Sequence, residues 1–409
     1  MEIKPLYKCT AALDVHQAQL TVCILMEKPD GSLEQHMREF HGFKRDRIEM
    51  AQWVKSFEPD IVVMESTGVY WKSPYHALEQ VGIHAWVVNA RHVKNVPGRK
   101  TDMADAQWLA SLARAGLLRR SFILEPNLRH LTPISRQRQK LMGLLAGEKN
   151  RLHKALTQAG IRLSVVVTDI NGQSARAMIE ALIQGKTPEQ VLKLASHRLK
   201  ASPKELYEAI QTDELTAEYR FVIDEILSHI KELEQRIARF DRKLIEELKL
   251  RGYEPFLAYL QTMPGIDCQG AAMLLVEIGS DMTAFGSAQR LASWVGLCPG
   301  NNESAGKTKS GKIRKGNAWV RRLLCEFAQA AARTRCALKG KFEALKIRKG
   351  HKRSIVALAH KMLRIIYAML RNRTFYVDKT VNYEGLTVAR NAPRWIKMLV
   401  KYGHIQQPA

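Results

Sequence analysis

The sequence predicts a mixed α/β domain at the amino end and an all-α body behind it. Branched and alternating apolar runs dominate the first ninety or so residues, while helical periodicity takes over from Leu128. A chain of 409 residues with 46% apolar content is long enough for two or three domains with real cores. Its 64 Lys and Arg against 40 Asp and Glu leave a formal charge of +24. Sixteen basic residues against three acidic ones fall between Asn301 and Arg353. A bias that concentrated costs self-repulsion unless phosphates relieve it, so the expected partner is a polyanion.

The elements follow in order. KCTAALDV, QLTVCILM and LEQHMREF are three strand-like runs, with Pro29-Asp30-Gly31 as a turn before the third. A polar helix through Trp53 leads to DIVVMES, a buried-strand run. GVYWKSPYHALEQVG then reads as a helix, HAWVVNA as a strand, and TDMADAQWLASLARAG as a helix capped by Thr101. Beyond Leu128 a basic helix carries Leu141, Leu145, Leu152 and Leu156 on one stripe. A later helix repeats Tyr219, Ile223, Ile226, Ile230, Leu233, Ile237, Phe240 and Leu244 at spacings of four and three, a heptad seam that predicts coiled-coil pairing within or between chains. The divisions expected are 1–125 (α/β), 126–250 (helical, coiled-coil), 251–372 (helical) and 373–409, an aromatic, irregular tail.

LAYLQTMPGIDCQGAAMLLVEIG places a helix on each side of Pro264-Gly265-Ile266 and predicts a helix-hairpin-helix, whose hairpin amides can face a phosphate. Next comes GLCPGNNESAGKTKSGKIRKGN, which superficially resembles a nucleotide-binding loop. Gly300 to Gly306-Lys307-Thr308 has one residue too many for that loop, and Gly306 to Gly311-Lys312 is followed by Ile313 where a magnesium-binding hydroxyl is needed. A basic helix from Asn317 to Ala332 follows, with Arg321 and Arg322.

Acidic groups stand at telling places. Asp14 and Glu65 close apolar strand runs, where an unpaired carboxylate is costly. Asp102 and Asp105 are three apart on one helix face, where like charges repel unless a cation intervenes. Taken singly, Asp102 and Asp105 have an ordinary explanation as helix-dipole residues and Glu65 as a cap of the next helix. Together they make a ligand set for Mg²⁺ ions, which can clamp the attacking and leaving oxygens of a phosphodiester. Cys9, Cys23, Cys268, Cys298, Cys325 and Cys336 sit singly, with no metal-site spacing, and read as reduced core thiols. The amino end lacks an apolar signal region and no later window is a membrane span, so a soluble cytoplasmic protein, nucleoid-associated when bound to DNA, is expected.

Asp14, Glu65 and the pair in KTDMADAQWLA resemble the DEDD set of the insertion-sequence 110 and 1111 transposases. MPGIDCQGAAMLLVEIG and LASWVGLCPGNNESAGKTKSGKIRKGNAWVRRLL resemble that family's second domain. The resemblance spans nearly the whole chain. It implies a ribonuclease-H-like, RuvC-type fold for the first domain, a coiled-coil insertion, and a transposase domain carrying a nucleophilic serine. It also implies a noncoding bridge RNA that pairs with target and donor DNA. The serine falls on Ser304, followed by Ala305-Gly306 where many relatives have two glycines, which leaves Ser310-Gly311 as the alternative. Lys307, Lys309, Lys312, Arg314 and Lys315 would offset phosphate charge, together with the Pro264-Gly265 hairpin and Arg321 and Arg322. The expected function is strand cleavage and exchange by Ser304 and Mg²⁺-binding carboxylates, in a homo-oligomer held by the seam, a dimer or tetramer. The competing readings are a Mg²⁺-dependent Holliday-junction-type nuclease attacking with water, and a non-catalytic helix-hairpin-helix DNA-binding protein.

Overall fold

A computed structural model describes residues 5–66, 68–90, 93, 105–197, 199–299, 302–304, 307–310, 313–378 and 383–406. The chain divides into two compact units, Met1–Ile123 and Leu124–Ala409.

In the first unit, β1 (Cys9–Val15), β2 (Gln19–Glu27) and β3 (Leu33–His41) form an antiparallel meander. The second turn is built as its residues suggest: Gly31 has φ 83°, and Asp30 Oδ1 accepts from the Ser32 amide at 2.8 Å. Helix α1 (Lys44–Lys55) leads to β4 (Ile61–Glu65), and α2 (Lys72–Gln80) to β5 (Trp86–Val88). Both of these strands run parallel to β1, giving one five-stranded sheet of order β3-β2-β1-β4-β5. The crossover helices α1 and α2 make parallel pairing possible and cover one face of the central strands, and a third helix covers the other. Ala11, Leu13 and Val15 of β1 pack with Met50 and Val54 of α1 and Leu78 of α2. On the other face, Ala12, Ile61 and Val63 pack with Ala106, Leu109 and Ala110 of α3 (Asp105–Arg114). That double burial explains why CTAALDV is nearly continuous apolar sequence, whereas edge strand β3 is mostly polar and exposed.

The second unit is helical apart from one small hairpin among the described residues. Helix α4 (Thr132–Gln158) packs along α5 (Ala217–Leu250). Ile223, Leu227, Ile230, Leu233 and Ile237 of α5 share one core with Leu141, Leu145, Leu152 and Leu156 of α4. Shorter helices over Gln173–Ile183 and Pro203–Ile210 close the same core with Met178, Ile179, Leu206 and Ile210. Ile223, Ile230, Leu233 and Ile237 of the seam are buried, Tyr219, Ile226 and Phe240 pack partly buried against the same core, and Leu227 joins them. The seam is thus covered within the chain, one of the two pairings its periodicity left open, and the expectation that changes is the oligomer: the seam provides no reason for a second copy to pair with it.

Helix α6 (Glu254–Gln261), the Met263–Ile266 turn and α7 (Cys268–Ile278) form a helical hairpin, followed by α8 (Ala288–Val295), β6 (Asn302–Ser304), β7 (Lys307–Ser310) and α9 (Ala318–Ala331). Helix α10 (Ala337–Asn372) breaks at Gly350, whose φ of 71° and ψ of 172° are non-helical. The segment expected to be an irregular tail holds an amphipathic helix, α11 (Tyr383–Lys401), which packs on α10. Gly385 and Pro393 obscured it, since both are helix breakers by intrinsic preference and are outweighed here by packing.

Candidate active site

Asp14 and Glu65 stand at the carboxyl ends of adjacent parallel strands. The β1–β4 register pairs Leu13 with Met64, and one further step places Asp14 level with Glu65. Side chains alternate along a strand. Leu13 and Met64 fill the core beneath α1 and α2, so Asp14 and Glu65 fall on the opposite face, with Ala12 and Val63 under α3. The direction of α3 brings its acidic first turn to the same end. Near the start of β1 the Leu6 amide donates to the Arg114 carbonyl at 2.9 Å, and Thr10 Oγ1 donates to the Ala110 carbonyl at 3.4 Å. Moving up β1 therefore means moving back along α3, towards Asp105. Asp102 and its neighbour Thr101 lie outside the described residues.

His16 Nε2 lies 3.3 Å from Asp14 Oδ2, just past the end of β1, a neighbour whose only signal in the sequence is the i, i+2 spacing in LDVH. Asp14, Glu65 and Asp105 offer only oxygen donors, which suits Mg²⁺. Among the described residues no group of three or more His, Cys, Asp or Glu side chains is gathered closely enough to hold a metal ion. Cys23 belongs to the core on this same face, where burial pushes its thiol up to about 11. Cys9 is likewise buried and free, while Cys268, Cys298, Cys325 and Cys336 are free and half-buried.

Ser304 belongs to the second unit. It ends β6 and pairs with Lys307 at the start of β7, with Ala305 and Gly306 between them in sequence; Asn302 pairs with Ser310 at the other end. Of residues 302–304 and 307–310 only the backbone is described, and Lys312 lies outside the described residues. The base of this hairpin is closely built. Pro299 bridges Ile313, and the Arg314 amide donates to the Cys298 carbonyl at 3.3 Å. Gly296 caps α8 in the left-handed region at φ 80°, and a Cβ there would stand 2.6 Å from the Arg314 carbonyl oxygen. A Cβ on Gly316 would meet the Gly296 nitrogen at 2.5 Å. The two chain segments cross where only glycines fit.

Asn317 joins the hairpin to α9. Its Oδ1 accepts from the Trp319 and Val320 amides at 3.0 and 3.1 Å, its own amide donates to the Trp294 carbonyl at 3.1 Å, and its Nδ2 donates to Glu277 Oε2 at 2.9 Å. Glu277 was not singled out by sequence, although a lone acid inside MLLVEIG is a signal that a partner must exist.

The cations expected to meet nucleic acid differ in setting. Arg314 and Lys315 are exposed beside the hairpin base, whereas Arg321 is half-buried with its guanidinium 3.4 Å from the Arg314 carbonyl. Arg322 is paired with Glu326 at 2.9 Å. Gly265, with φ 89°, lies against α9: a Cβ would be 2.5 Å from the Phe327 carbonyl oxygen. Helix packing alone thus requires a glycine there, independently of any ligand at the hairpin amides.

Comparison with known proteins agrees with both regions. Residues 11–161 match the family model for the IS110-type DEDD transposase, and residues 257–343 that for the transposase of the IS116/IS110/IS902 family. The chain is 25% identical over 342 residues to a probable family 20 transposase of Pseudomonas aeruginosa, covering 81% of this chain and 89% of that protein. It is also 25% identical over 350 residues to the transposase for insertion sequence element IS1111A of Coxiella burnetii, covering 81% and 84%. An insertion element IS110 protein of Streptomyces coelicolor is 34% identical over 128 residues, 31% of each chain. Two family matches in this order, one over the carboxylate-bearing sheet and one over the helical hairpin and serine loop, show that the chain belongs to the IS110 family of insertion-sequence transposases.

Proposed function

We propose that the protein cuts and rejoins DNA strands at insertion-sequence ends through a serine nucleophile, with the carboxylates of the first unit binding Mg²⁺. The observation that carries this reading is the placement of Asp14 and Glu65 at adjacent strand ends, on the face towards which α3 brings Asp105. The strand order β3-β2-β1-β4-β5, with the last two strands parallel to the first, also suits a ribonuclease-H-like domain of RuvC type. Asp102 would complete the ligand set. Mg²⁺ held by these oxygens would supply Lewis-acid stabilisation of charge on the phosphodiester oxygens.

In the proposed reaction, Ser304 Oγ attacks phosphorus, a serine–phosphate bond forms, and the bond to the 3′ oxygen breaks to leave a 3′ hydroxyl. The serine proton is taken up by a base, and the leaving 3′ oxygen gains a proton. Attack of a partner strand's 3′ hydroxyl on the phosphoserine reverses these bond changes and frees the serine. Each bond broken is matched by one formed, so no nucleotide need be hydrolysed, in keeping with a loop that lacks nucleotide-binding spacing. Arg314 and Lys315 are exposed where they can offset phosphate charge, with the Pro264-Gly265 amides as a second contact. The bridge RNA belongs to this proposal through the family resemblance, and the charge of +24 suits either nucleic acid. Whether dimer or tetramer, an assembled state would rest on surfaces other than the buried α5 seam.

The test is cleavage of an element-end substrate by Asp102→Asn and Asp105→Asn. Both are expected to lose strand cleavage by a factor of roughly 10² or more while binding DNA as wild type does, because each change removes a proposed ligand and no basic residue. Cleavage at the wild-type rate by either variant would refute the four-carboxylate site. A junction nuclease would share the metal dependence but leave no protein on the DNA.

A further inference from the structure

Glu277 is a charged group that the proposed chemistry does not use. It is 1% exposed, in a helix whose residues from Gly270 to Ile278 are all buried. A carboxylate there is costly unless paired and hydrogen-bonded. Arg136 of α4 meets it with both ends of its fork, Nε to Oε1 at 2.8 Å and Nη2 to Oε2 at 3.0 Å, while its guanidinium carbon lies 5.7 Å from the centre of the Trp319 ring. Asn317 Nδ2 donates to the same Oε2 at 2.9 Å, so that oxygen accepts from both side chains.

Stability alone is a poor reason for such a pair, since well-packed apolar side chains usually do as well. Its location is informative. Asn317 is the residue at which the hairpin carrying Ser304 rejoins the helical body, one step beyond the Gly296–Gly316 crossing. Its side-chain oxygen is committed to capping α9, and its side-chain nitrogen to Glu277. The carboxylate therefore ties the hairpin base to α4 and α7 at once.

We propose that Glu277, held by Arg136 and acting through Asn317, is a positioning residue that fixes the base of the Ser304 hairpin for attack on the phosphodiester. This rests on the reading of Ser304 as nucleophile. Ends anchored in this way restrict where the tip can travel, and misplacement by about 1 Å can cost on the order of 10² in rate.

Asn317→Ser separates the two uses of Asn317, because serine caps a helix about as well but lacks the amide that reaches Glu277. Arg136→Met with Glu277→Met is the second variant, replacing the buried charges by apolar bulk. Both are examined as full chains by amide hydrogen exchange without nucleic acid, by DNA binding, and by the rate of protein–DNA adduct formation. The inference expects exchange in 297–316 to rise about tenfold or more while 318–331 stays protected, DNA affinity to hold, and adduct formation to fall about 10²-fold. Melting temperatures near wild type in the double variant would show that the loss is not unfolding. Wild-type exchange in 297–316 with a wild-type adduct rate, in either folded variant, would overturn it. Persistence of the adduct in Ser304→Ala would instead refute the nucleophile assignment, and the exchange measurement would still decide whether the clamp exists.

Discussion

Gly296 and Gly316 occupy positions where a methyl group would collide with backbone, which cannot swing aside as a side chain can. Gly316→Ala should destabilise the protein by about 1–3 kcal/mol in urea unfolding, the usual cost of overpacking. Gly143→Ala is the control: nothing lies within 4 Å of its missing Cβ, and it sits in helix α4. That change should stabilise by roughly 0.5–1 kcal/mol. Equal effects from both would show that the crossing is not tight. The same scale determines what could be read from sequence. Asp14 and Glu65 were legible because acids that end apolar strands stand out. Their adjacency was not, because it depends on pairing β1 with a strand far along the chain. Glu277 hid inside an apolar run, and only the fold brings Arg136 and Asn317 to it.

Among the elements, α5 is where the periodicity was clear and its partner was not. A stripe of Ile and Leu reports that a face is buried, but says nothing about whose side chains bury it. Here the chain's own α4 and shorter helices do so. Ile230→Ala should therefore cost about 2–5 kcal/mol of stability of the helical unit, read by urea denaturation, without changing the oligomeric state in sedimentation. Dissociation of an oligomer with no loss of stability would contradict this packing. Acid sensitivity is expected in the same region. The Arg176 guanidinium, at 2.8 and 2.6 Å from the two oxygens of Glu234, holds that carboxyl below the ordinary range, with Lys149 adding to the effect. A lowered folded-state value stabilises the fold above the unfolded-state pKa of about 4.3, and that contribution is lost as pH falls through the lower, folded value. Arg176→Met should flatten the fall in melting temperature below about pH 4. An unchanged acid profile would remove Glu234 from the account.

For the whole molecule, the dominant quantities are the charge of +24 and the division into two units, the first carrying Asp14, Glu65 and Asp105 and the second Ser304. Among the described residues no helix is long and apolar enough to cross a membrane. DNA affinity should fall linearly on a log–log plot against salt, and neutralising Arg314 and Lys315 together should reduce the slope by about 1–2. An unchanged slope would place the phosphate contacts elsewhere. The α/β-then-helical layout was legible from periodicity, whereas the small β6–β7 hairpin was not, because NESAGKTKS is short and has no apolar alternation. The central claim is that Ser304 becomes covalently joined to DNA. It is tested most directly by incubating wild type, Ser304→Ala and Ser310→Ala with Mg²⁺, element-end DNA and a candidate guide RNA, denaturing, and assaying a protease-sensitive protein–DNA species. The account predicts that species for wild type and Ser310→Ala and none for Ser304→Ala. An adduct from Ser304→Ala, or DNA cleaved by wild type with no adduct at all, would contradict it.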